Sequence, residues 1–336
     1  MEQYKEVDAI KQAVGAAQAI VVVQADNPDG DSLASSLALE QILGDMGKDI
    51  SLYCGVDLPS YLMYMPGADR VVNELPKQFD LSIIVDTSSD ILLEQLDKTA
   101  SKGWLAAKPS LIIDHHATDP TITFASIIAS HPAVATGEVI YEISRELDWP
   151  LNKPAKDLLA MAILSDSLGL TSEATTARSI YIIAELVEGG VRLAELENAR
   201  RETMRREPEL IHYKGRLLER VEFHAGGRVA SVMIPQEEID QFSPLYNPPM
   251  LVLDDMRLAK NVDIAVAFKV YKDGKITGKI RSNYGKNIAD KLAEHFGGGG
   301  HPYAAGFKIT QNGDYHQIKD EFMDLAAKLL DEAGDD

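Results

Sequence analysis

Short apolar runs alternate with helical patterns through the first half of the chain. Four runs rich in β-branched residues have the length and continuous hydrophobicity of buried parallel strands. The segments between and after them repeat apolar residues every three or four positions, which predicts helices. This alternation predicts an α/β fold with a doubly wound, mostly parallel sheet over residues 1–190, with strands at 20–23, 50–54, 81–85 and 110–113 and helices at 33–43, 135–147, 154–164 and from 176 to the Gly189-Gly190 stop.

The second half of the chain has a different pattern. Residues 191–222 are rich in Glu, Arg and Leu and predict a linker of one or two helices. Strands are predicted at 229–234, 262–271 and 276–282, and the pair Asp273-Gly274 indicates a hairpin between the last two. Helices are predicted at 287–296 and 315–330. The chain is therefore predicted to carry a second, smaller α/β domain over residues 223–336.

Charge and cysteine content narrow the classes of function. The 33 basic and 52 acidic residues give a net charge of −19, which argues against a surface for long double-stranded nucleic acid. The single cysteine, Cys54, excludes an internal disulfide framework and fits a reducing compartment. No apolar run approaches the roughly 20 residues that span a bilayer, and the N-terminus lacks the form of a signal peptide. A cytoplasmic protein without membrane contact is expected, and a homodimer stays open.

Acids and histidines follow the predicted strands at the positions where α/β folds bind ligands. The loop after the first strand, residues 27–32, holds two acids separated by Gly30, which we expect to allow a tight turn. Each acid alone is more often a helix cap or a solvated turn residue. Clustered carboxylates repel one another unless cations are present, and carboxylate with imidazole suits Mn²⁺ or a related ion. The strand-end residues are Asp29, Asp31, Asp86, Asp114, His115 and His116, with Asp166 after a helix.

These residues carry a resemblance to a known family. Asn-Pro-Asp-Gly-Asp at 27–31, Val-Asp-Thr at 85–87, Asp-His-His at 114–116 and Ser-Asp-Ser at 165–167 resemble, in order, four motifs of the DHH phosphoesterase superfamily. Arg-Ser at 281–282, the glycine run ending in His at 297–301 and Ala-Ala-Gly at 304–306 resemble its DHH-associated C-terminal domain. The branch that the chain resembles contains nano-RNases, 3′-phosphoadenosine-5′-phosphate phosphatases and linear dinucleotide phosphodiesterases, related to RecJ.

The resemblance implies a role for each motif residue. Asp86 would bridge two Mn²⁺ ions, and Mg²⁺ or Co²⁺ stay open as alternatives. Asp31, His115 and Asp166 would complete one metal site, and Asp29 would belong to the other. His116 would face the substrate phosphate, with Asp114 orienting the histidines. The second domain would bind substrate across a cleft from the metals, with an anion nest of glycine N–H groups, through Arg281, Ser282, Gly298, Gly299, Gly300 and His301.

One departure from the family pattern affects the first metal. Most compact members have a histidine four residues before the first motif aspartate, where this chain has Ala25. Alanine cannot ligate a metal, and the side chain of Asp26 is expected to point to the opposite side of an extended segment. RecJ-like members also lack this histidine, so its absence does not imply inactivity. The metal beside Asp29 is expected to be the weaker one.

The implied activity is a Mn²⁺-dependent phosphoesterase acting on nano-RNA, linear dinucleotides such as pApA or 3′-phosphoadenosine-5′-phosphate. A metal-activated hydroxide would attack phosphorus in line. Two alternatives stay open. One is a pyrophosphatase or exopolyphosphatase, because such enzymes share the N-terminal motifs. The other is a nucleotide-binding regulatory protein whose catalysis is weakened by Ala25.

Overall fold

The computed structural model describes residues 4–117, 119–283, 285–310 and 313–333. The chain divides into two compact units, Met1–Arg205 and Arg206–Asp336. The division falls inside the segment that we predicted as a linker: of its two helices, Leu193–Thr203 belongs to the first unit and Pro208–Glu219 to the second. In the described part of the chain, no helix combines the length and apolar character needed to cross a bilayer.

The first unit is built on a six-stranded sheet with every strand pair parallel, in the order β3-β2-β1-β4-β5-β6. The predicted doubly wound α/β fold is confirmed. The chain turns from one half of the sheet to the other between β1 and β4, the place where such folds form a ligand crevice. The strands are β1 (Ala19–Gln24), β2 (Asp49–Cys54), β3 (Val71–Val72), β4 (Leu81–Val85), β5 (Ser110–Asp114) and β6 (Ile127–Ser130).

Helices cover both faces of this sheet. One face packs a large apolar cluster from the long helices against β-strand residues such as Val22 and Ile83, and the other packs a smaller cluster that includes Val23 and Ile84. The alternation of side chains along each strand sends neighbours to opposite cores. The helices are α1 (Val7–Ala16), α2 (Gly30–Asp45), α3 (Glu94–Lys98), α4 (Lys102–Ala106), α5 (Thr136–Glu146), α6 (Lys153–Asp166), α7 (Ala177–Glu188) and α8 (Leu193–Thr203).

The second unit holds a mixed sheet in the order β11-β12-β10-β9-β8-β7, with only β8 and β9 parallel among its described pairs. Its strands are β7 (Glu222–His224), β8 (Val229–Pro235), β9 (Ile264–Val270), β10 (Ile276–Ser282), β11 (Gly299–His301) and β12 (Ala304–Ile309). Its helices are α9 (Pro208–Glu219), α10 (Gln236–Phe242), α11 (Pro249–Arg257), α12 (Ala289–His295) and α13 (Tyr315–Glu332).

The two faces of the second sheet are covered by different helices. Helices α12 and α13 pack on the face that carries Ile276 and Ile280, and helices α9, α10 and α11 pack on the face that carries Ala265 and Ala267. The predicted hairpin joins β9 to β10, and Gly274 adopts a left-handed φ of 80° there. A smaller α/β C-terminal domain is therefore confirmed.

Candidate active site

The carboxyl ends of β1, β4 and β5 bring the predicted metal ligands together with Asp166, the last residue of α6. His115 Nε2 lies 3.4 Å from Asp86 Oδ1, 3.5 Å from Asp166 Oδ2 and 3.8 Å from Asp31 Oδ2. Two groups of ligand atoms, each within 4.8 Å of one another, suit a metal ion: Asp31, His115 and Asp166, and Asp86, His115 and His116.

The imidazole of His115 is held in a metal-binding orientation. Its Nδ1 lies 3.1 Å from the carbonyl oxygen of Ala133, which fixes the proton on that nitrogen and leaves a lone pair on Nε2. Nε2 is buried and has no hydrogen-bond partner among the described residues, although three carboxylates face it. An orphaned nitrogen surrounded by acids is what a bound cation would satisfy. These residues therefore fit a divalent metal.

Asp31 is buried at the start of α2 and is fixed by three donors. The backbone N–H groups of Thr136 and Gly137, at the start of α5, donate to its two oxygens at 2.6 and 3.1 Å. The Ser35 hydroxyl donates at 2.9 Å. A helix N-terminus favours a negative charge because its first N–H groups and its dipole both point at the anion. Burial nevertheless raises the pKa of Asp31, against the opposing effects of His115 and these N–H donors.

Asp86 follows β4 with a φ of 62°, a left-handed conformation that is uncommon for a residue other than glycine. Such outliers concentrate at functional sites. Its Oδ1 accepts a hydrogen bond of 2.9 Å from the Thr136 hydroxyl. Burial, and then the charges of Asp31 and Asp29, raise the pKa of Asp86 well above its usual range.

Asp166 lies among the same carboxylates. Burial is the main cause that raises its pKa to about 7, and the charges of Asp31 and Asp29 add to it. Each of these acids would be more stable ionised if a divalent cation were present.

Gly30 allows Asp31 and Asp166 to approach each other. We expected Gly30 to make a tight turn, but it does not adopt a left-handed conformation. A Cβ at this position would instead overlap the side chain of Ser165. Glycine therefore permits close packing between α2 and α6, which carry the two acids at their ends.

His116 and Asp114 form a second pair at the end of β5. Asp114 Oδ1 lies 2.7 Å from His116 Nδ1 and also accepts the backbone N–H groups of His115 and His116 at 2.9 and 3.2 Å. The hydrogen bond from His116 to Asp114 raises the pKa of His116, whose side chain is half-exposed. Burial acts to raise the pKa of Asp114, but the His116 contact outweighs it and holds this pKa below the usual value. Asp114 thus orients His116, whereas Ala133 orients the ring of His115.

Asp29 differs from the other predicted metal ligands. It is exposed, caps α2, and accepts the Ser32 N–H at 3.0 Å in a reciprocal capping box. It belongs to neither of the candidate metal groups among the described residues. Ala25 is buried, and the Asp26 carboxylate accepts the Gln95 N–H at 2.8 Å on the other side of the segment. Neither Ala25 nor the Asp26 carboxylate therefore adds a metal ligand beside Asp29.

The residues predicted to bind substrate lie in the second unit. Residues 299–301 form its edge strand β11, and Arg281 and Ser282 lie on β10, with β12 between the two strands. Arg281 is half-buried on β10, with its guanidinium beside Met250, while the next residue, Ser282, is buried with its side chain directed to the other face of the strand. His301 is exposed and stacks on Tyr303 with ring centroids 5.5 Å apart.

Part of the glycine run that we predicted as an anion nest makes hydrogen bonds within the protein. The N–H groups of Gly297 and Gly298 bond to the last carbonyls of α12, and residues 299–301 form edge strand β11 against β12. Glycine is required at 298 and 300 because a Cβ would overlap the β12 backbone.

Thr136 is the residue of the site that we did not predict. Its hydroxyl contacts Asp86 and its N–H contacts Asp31, so one residue positions both acids. The Thr-Gly pair at the start of a predicted helix was the available signal, because helix N-termini bind anions.

Comparisons with known proteins agree with this arrangement. Residues 19–163 match the DHH family, N-terminal domain, and residues 251–332 match the DHHA1 domain. The chain is 26% identical over 314 residues to the bifunctional oligoribonuclease and PAP phosphatase NrnA of Thermus thermophilus, covering 92% of this chain and 89% of that protein. It is also 26% identical to the Bacillus subtilis NrnA, over 84% of this chain and 86% of that protein.

The fold is shared with a solved structure as well. An exopolyphosphatase-related protein from Bacteroides fragilis superposes with a TM-score of 0.80 at 21% identity, covering 97% of both chains. Together with the four motifs and the His115 cluster, the domain matches confirm the resemblance seen in the sequence. The chain is a phosphoester hydrolase that belongs to the DHH superfamily, with an N-terminal DHH domain and a C-terminal DHHA1 domain.

Proposed function

We propose that this protein hydrolyses phosphodiester or phosphomonoester bonds of very short oligonucleotides, linear dinucleotides or 3′-phosphoadenosine-5′-phosphate, with Mn²⁺ as its cofactor. The observation that carries the proposal is the buried, unpaired His115 Nε2, which faces the carboxylates of Asp31, Asp86 and Asp166. The relatives named as oligoribonucleases and PAP phosphatases support nucleotide substrates.

In this proposal, Asp31, Asp86, His115 and Asp166 would hold one divalent ion, and Asp86 with Asp29 would hold a second, weaker one. When bound, such ions make water a nucleophile at neutral pH and neutralise charge on phosphoryl oxygens. Thr136 positions Asp86 through its hydroxyl and Asp31 through its N–H, so both carboxylates are fixed before any ligand arrives.

His116 is the residue that we propose to face the phosphate. Its Nδ1 is held by Asp114, which leaves Nε2 available to a ligand. Because Asp114 raises its pKa, His116 holds a proton over more of the neutral range than a free histidine does. A protonated His116 stabilises negative charge on a phosphoryl oxygen and can donate its proton to the leaving oxygen.

The test is turnover by the purified full chain with Mn²⁺, using 5′-phosphorylated diadenylate, 3′-phosphoadenosine-5′-phosphate and pyrophosphate in parallel. We expect the two nucleotides to be hydrolysed, and Asp86→Asn to reduce the rate by roughly 1,000-fold or more because it removes the shared ligand. Asp8→Asn, which removes an exposed acid from α1, is the matched control. Hydrolysis of pyrophosphate alone would replace this proposal with the pyrophosphatase alternative.

The capping role of Asp29 favours a second candidate, a nucleotide-binding regulatory protein with weakened catalysis. The buried Ala25 and the capping of Asp29 leave few ligands for the first ion. Binding of the same nucleotides without turnover, together with new turnover in Ala25→His, would establish this candidate. Turnover by the wild-type protein would exclude it.

A further inference from the structure

Strand β10 carries a row of cations on one face of the second sheet. Residues directly opposite each other in neighbouring strands point to the same face, and so do alternate residues within a strand. Arg281 is opposite Ala304 of β12, which is opposite His301 of β11, so Arg281 and His301 share a face. Lys279, two residues before Arg281, lies on this face as well. The row continues beyond the residues that the family motifs identify.

Lys269 extends the row onto the neighbouring strand. It is opposite Thr277 of β10, which lies two residues before Lys279 and points to the same face, so the side chain of Lys269 also projects from this face. Its Nζ lies 3.3 Å from the Ser243 hydroxyl, just after α10. Lys269 and Lys279 are both half-buried. Three cations from two strands therefore project from the same face as His301.

Helices α9, α10 and α11 cover only part of this face of the sheet, and the cations of the row stay partly exposed. On the β9 side, Ala265 and Ala267 are fully buried in the apolar cluster of α9, α10 and α11. On the β12 side, Ala304 and Gly306 stand opposite Arg281 and Lys279 and are only partly buried. The small side chains on this side leave both cations partly exposed. The row thus borders a buried apolar cluster on the β9 side and partly exposed residues on the β12 side.

Among the described residues, no acidic partner neutralises these two lysines. No carboxylate of a described residue lies within 4.0 Å of Lys269 or Lys279, whereas Lys214 and Lys272 of the same unit pair with acids at 2.7 Å. Burial, and then the charges of Lys279 and Lys275, lower the pKa of Lys269, while burial and Arg281 lower the pKa of Lys279. Uncompensated cations are unusual in a chain with a net charge of −19, and an anionic ligand would compensate them.

We propose that Lys269 and Lys279 form a second phosphate subsite, next to Arg281 and His301, that binds a further phosphoryl group of the same ligand. The inference rests on the proposed function, because it takes a nucleotide as the ligand. Alternate residues of a strand are about 7 Å apart, a spacing comparable to that of successive phosphates in an extended nucleotide chain. The additional phosphoryl group is either the next phosphodiester of an oligonucleotide or the second phosphate of a nucleotide bisphosphate.

Equilibrium binding to the full chain in EDTA tests the subsite without turnover. The ligands are 5′-phosphorylated diadenylate, 5′-phosphorylated triadenylate, 3′-phosphoadenosine-5′-phosphate and pyrophosphate. We expect Lys279→Gln and Lys269→Gln each to weaken triadenylate binding by about 5–10-fold, as expected for loss of one charge-assisted contact that is partly exposed to solvent. The slope of log affinity against log salt should become shallower by about 0.7 for each lost contact.

The variants and ligands separate the possible outcomes. Lys279→Arg keeps the charge and should restore affinity, and Lys328→Gln removes an equal charge from α13, which packs on the other face. A loss confined to triadenylate identifies the next phosphodiester as the occupant, and a loss shared by the bisphosphate identifies the second phosphate. Unchanged affinities and salt slopes, or an equal loss in Lys328→Gln, would overturn the subsite.

Pyrophosphate binding distinguishes this inference from the proposed function. If pyrophosphate binding depends on the two lysines but the Mn²⁺-loaded protein hydrolyses no nucleotide, the subsite stands and the proposed function fails. If the Mn²⁺-loaded protein hydrolyses diadenylate but Lys269→Gln and Lys279→Gln bind all four ligands as tightly as the wild type does, the function stands and the subsite fails. If the wild type binds none of the four ligands, the subsite is overturned.

Discussion

Both units of this protein gather charges of one sign, but they do so at different depths. In the first unit, Asp31 and Asp86 are 0% and 7% exposed, and each is fixed by donors from α5. In the second unit, Lys269 and Lys279 are half-buried and reach the surface on flexible stems. A buried charge is costly unless it is hydrogen-bonded and paired, whereas a partly exposed charge keeps some of its hydration. The comparison indicates a rigid site for a small cation in one unit and an adaptable site for anionic groups in the other.

The largest effect that we expect from this difference is on the stability of the metal-free first unit. Folding raises the pKa of Asp166 to about 7, against an ordinary carboxyl pKa of about 3.9 in the unfolded chain. Between these values the unfolded chain is ionised while the folded protein holds the proton, so raising the pH favours unfolding. The stabilisation present below about pH 4 is therefore lost as the pH rises to 7. Asp31 and Asp86 act in the same direction.

Urea unfolding in EDTA between pH 4.5 and 7.5 checks this prediction. The two tryptophans, Trp104 and Trp149, both lie in the first unit, so their fluorescence reports that unit alone. We expect the free energy of unfolding to fall by about 2 kcal/mol across this range, less than the full pKa difference implies because solvent screens the partly exposed Asp166. The fall should be smaller in Asp166→Asn, and Mn²⁺ should reverse it at pH 7. A pH dependence that Asp166→Asn and Mn²⁺ both leave unchanged would show that the acids do not form one coupled site.

The next effect concerns how rigidly the acids are held. Thr136→Val removes the hydroxyl that contacts Asp86 but keeps the backbone N–H that contacts Asp31. Loss of a hydrogen bond that orients a metal ligand typically lowers metal affinity by about 10–100-fold, and we expect a loss in that range for Mn²⁺ measured by calorimetry. Thr136→Ser keeps the hydroxyl and should retain most of the affinity. Equal affinities in wild type and Thr136→Val would mean that Asp86 needs no positioning by α5.

Much of the first unit was predictable because parallel strands impose their own geometry. Once the four apolar runs were recognised as parallel strands, their carboxyl ends had to meet at one edge, which placed Asp31 and Asp86 beside His115. The partners of Thr136 and Gly30 were not predictable, although the Thr-Gly pair did indicate a helix N-terminus that could bind an anion. They depend on how the ends of α5 and α2 meet other elements, and packing between helices leaves no periodic signal in the sequence.

Several of the elements that we missed are short or lie at or next to the edge of a sheet. Strand β6 is only four residues long and partly buried, so its pattern lacks a continuous apolar run. Strands β11 and β12 lie in a glycine- and alanine-rich segment, which we interpreted as an anion nest because glycine carries no side chain that reports its partner. The cations of β10 alternate with apolar residues, but only the register shows that they share a face with His301.

The smallest effect separates Asp29, the exposed N-cap of α2, from Asp31, which is buried two residues later in the same segment. Asp29→Ala should destabilise the first unit by about 1 kcal/mol, because it removes the N-cap of α2. Asp29→Ser keeps a capping oxygen and should retain stability, as judged by tryptophan fluorescence in urea. Because Asp29 lies outside the His115 groups, we expect Asp29→Ser also to leave the tightest Mn²⁺ ion in place by calorimetry. Loss of that ion in Asp29→Ser would make Asp29 a direct ligand and move the centre of the site toward the first loop.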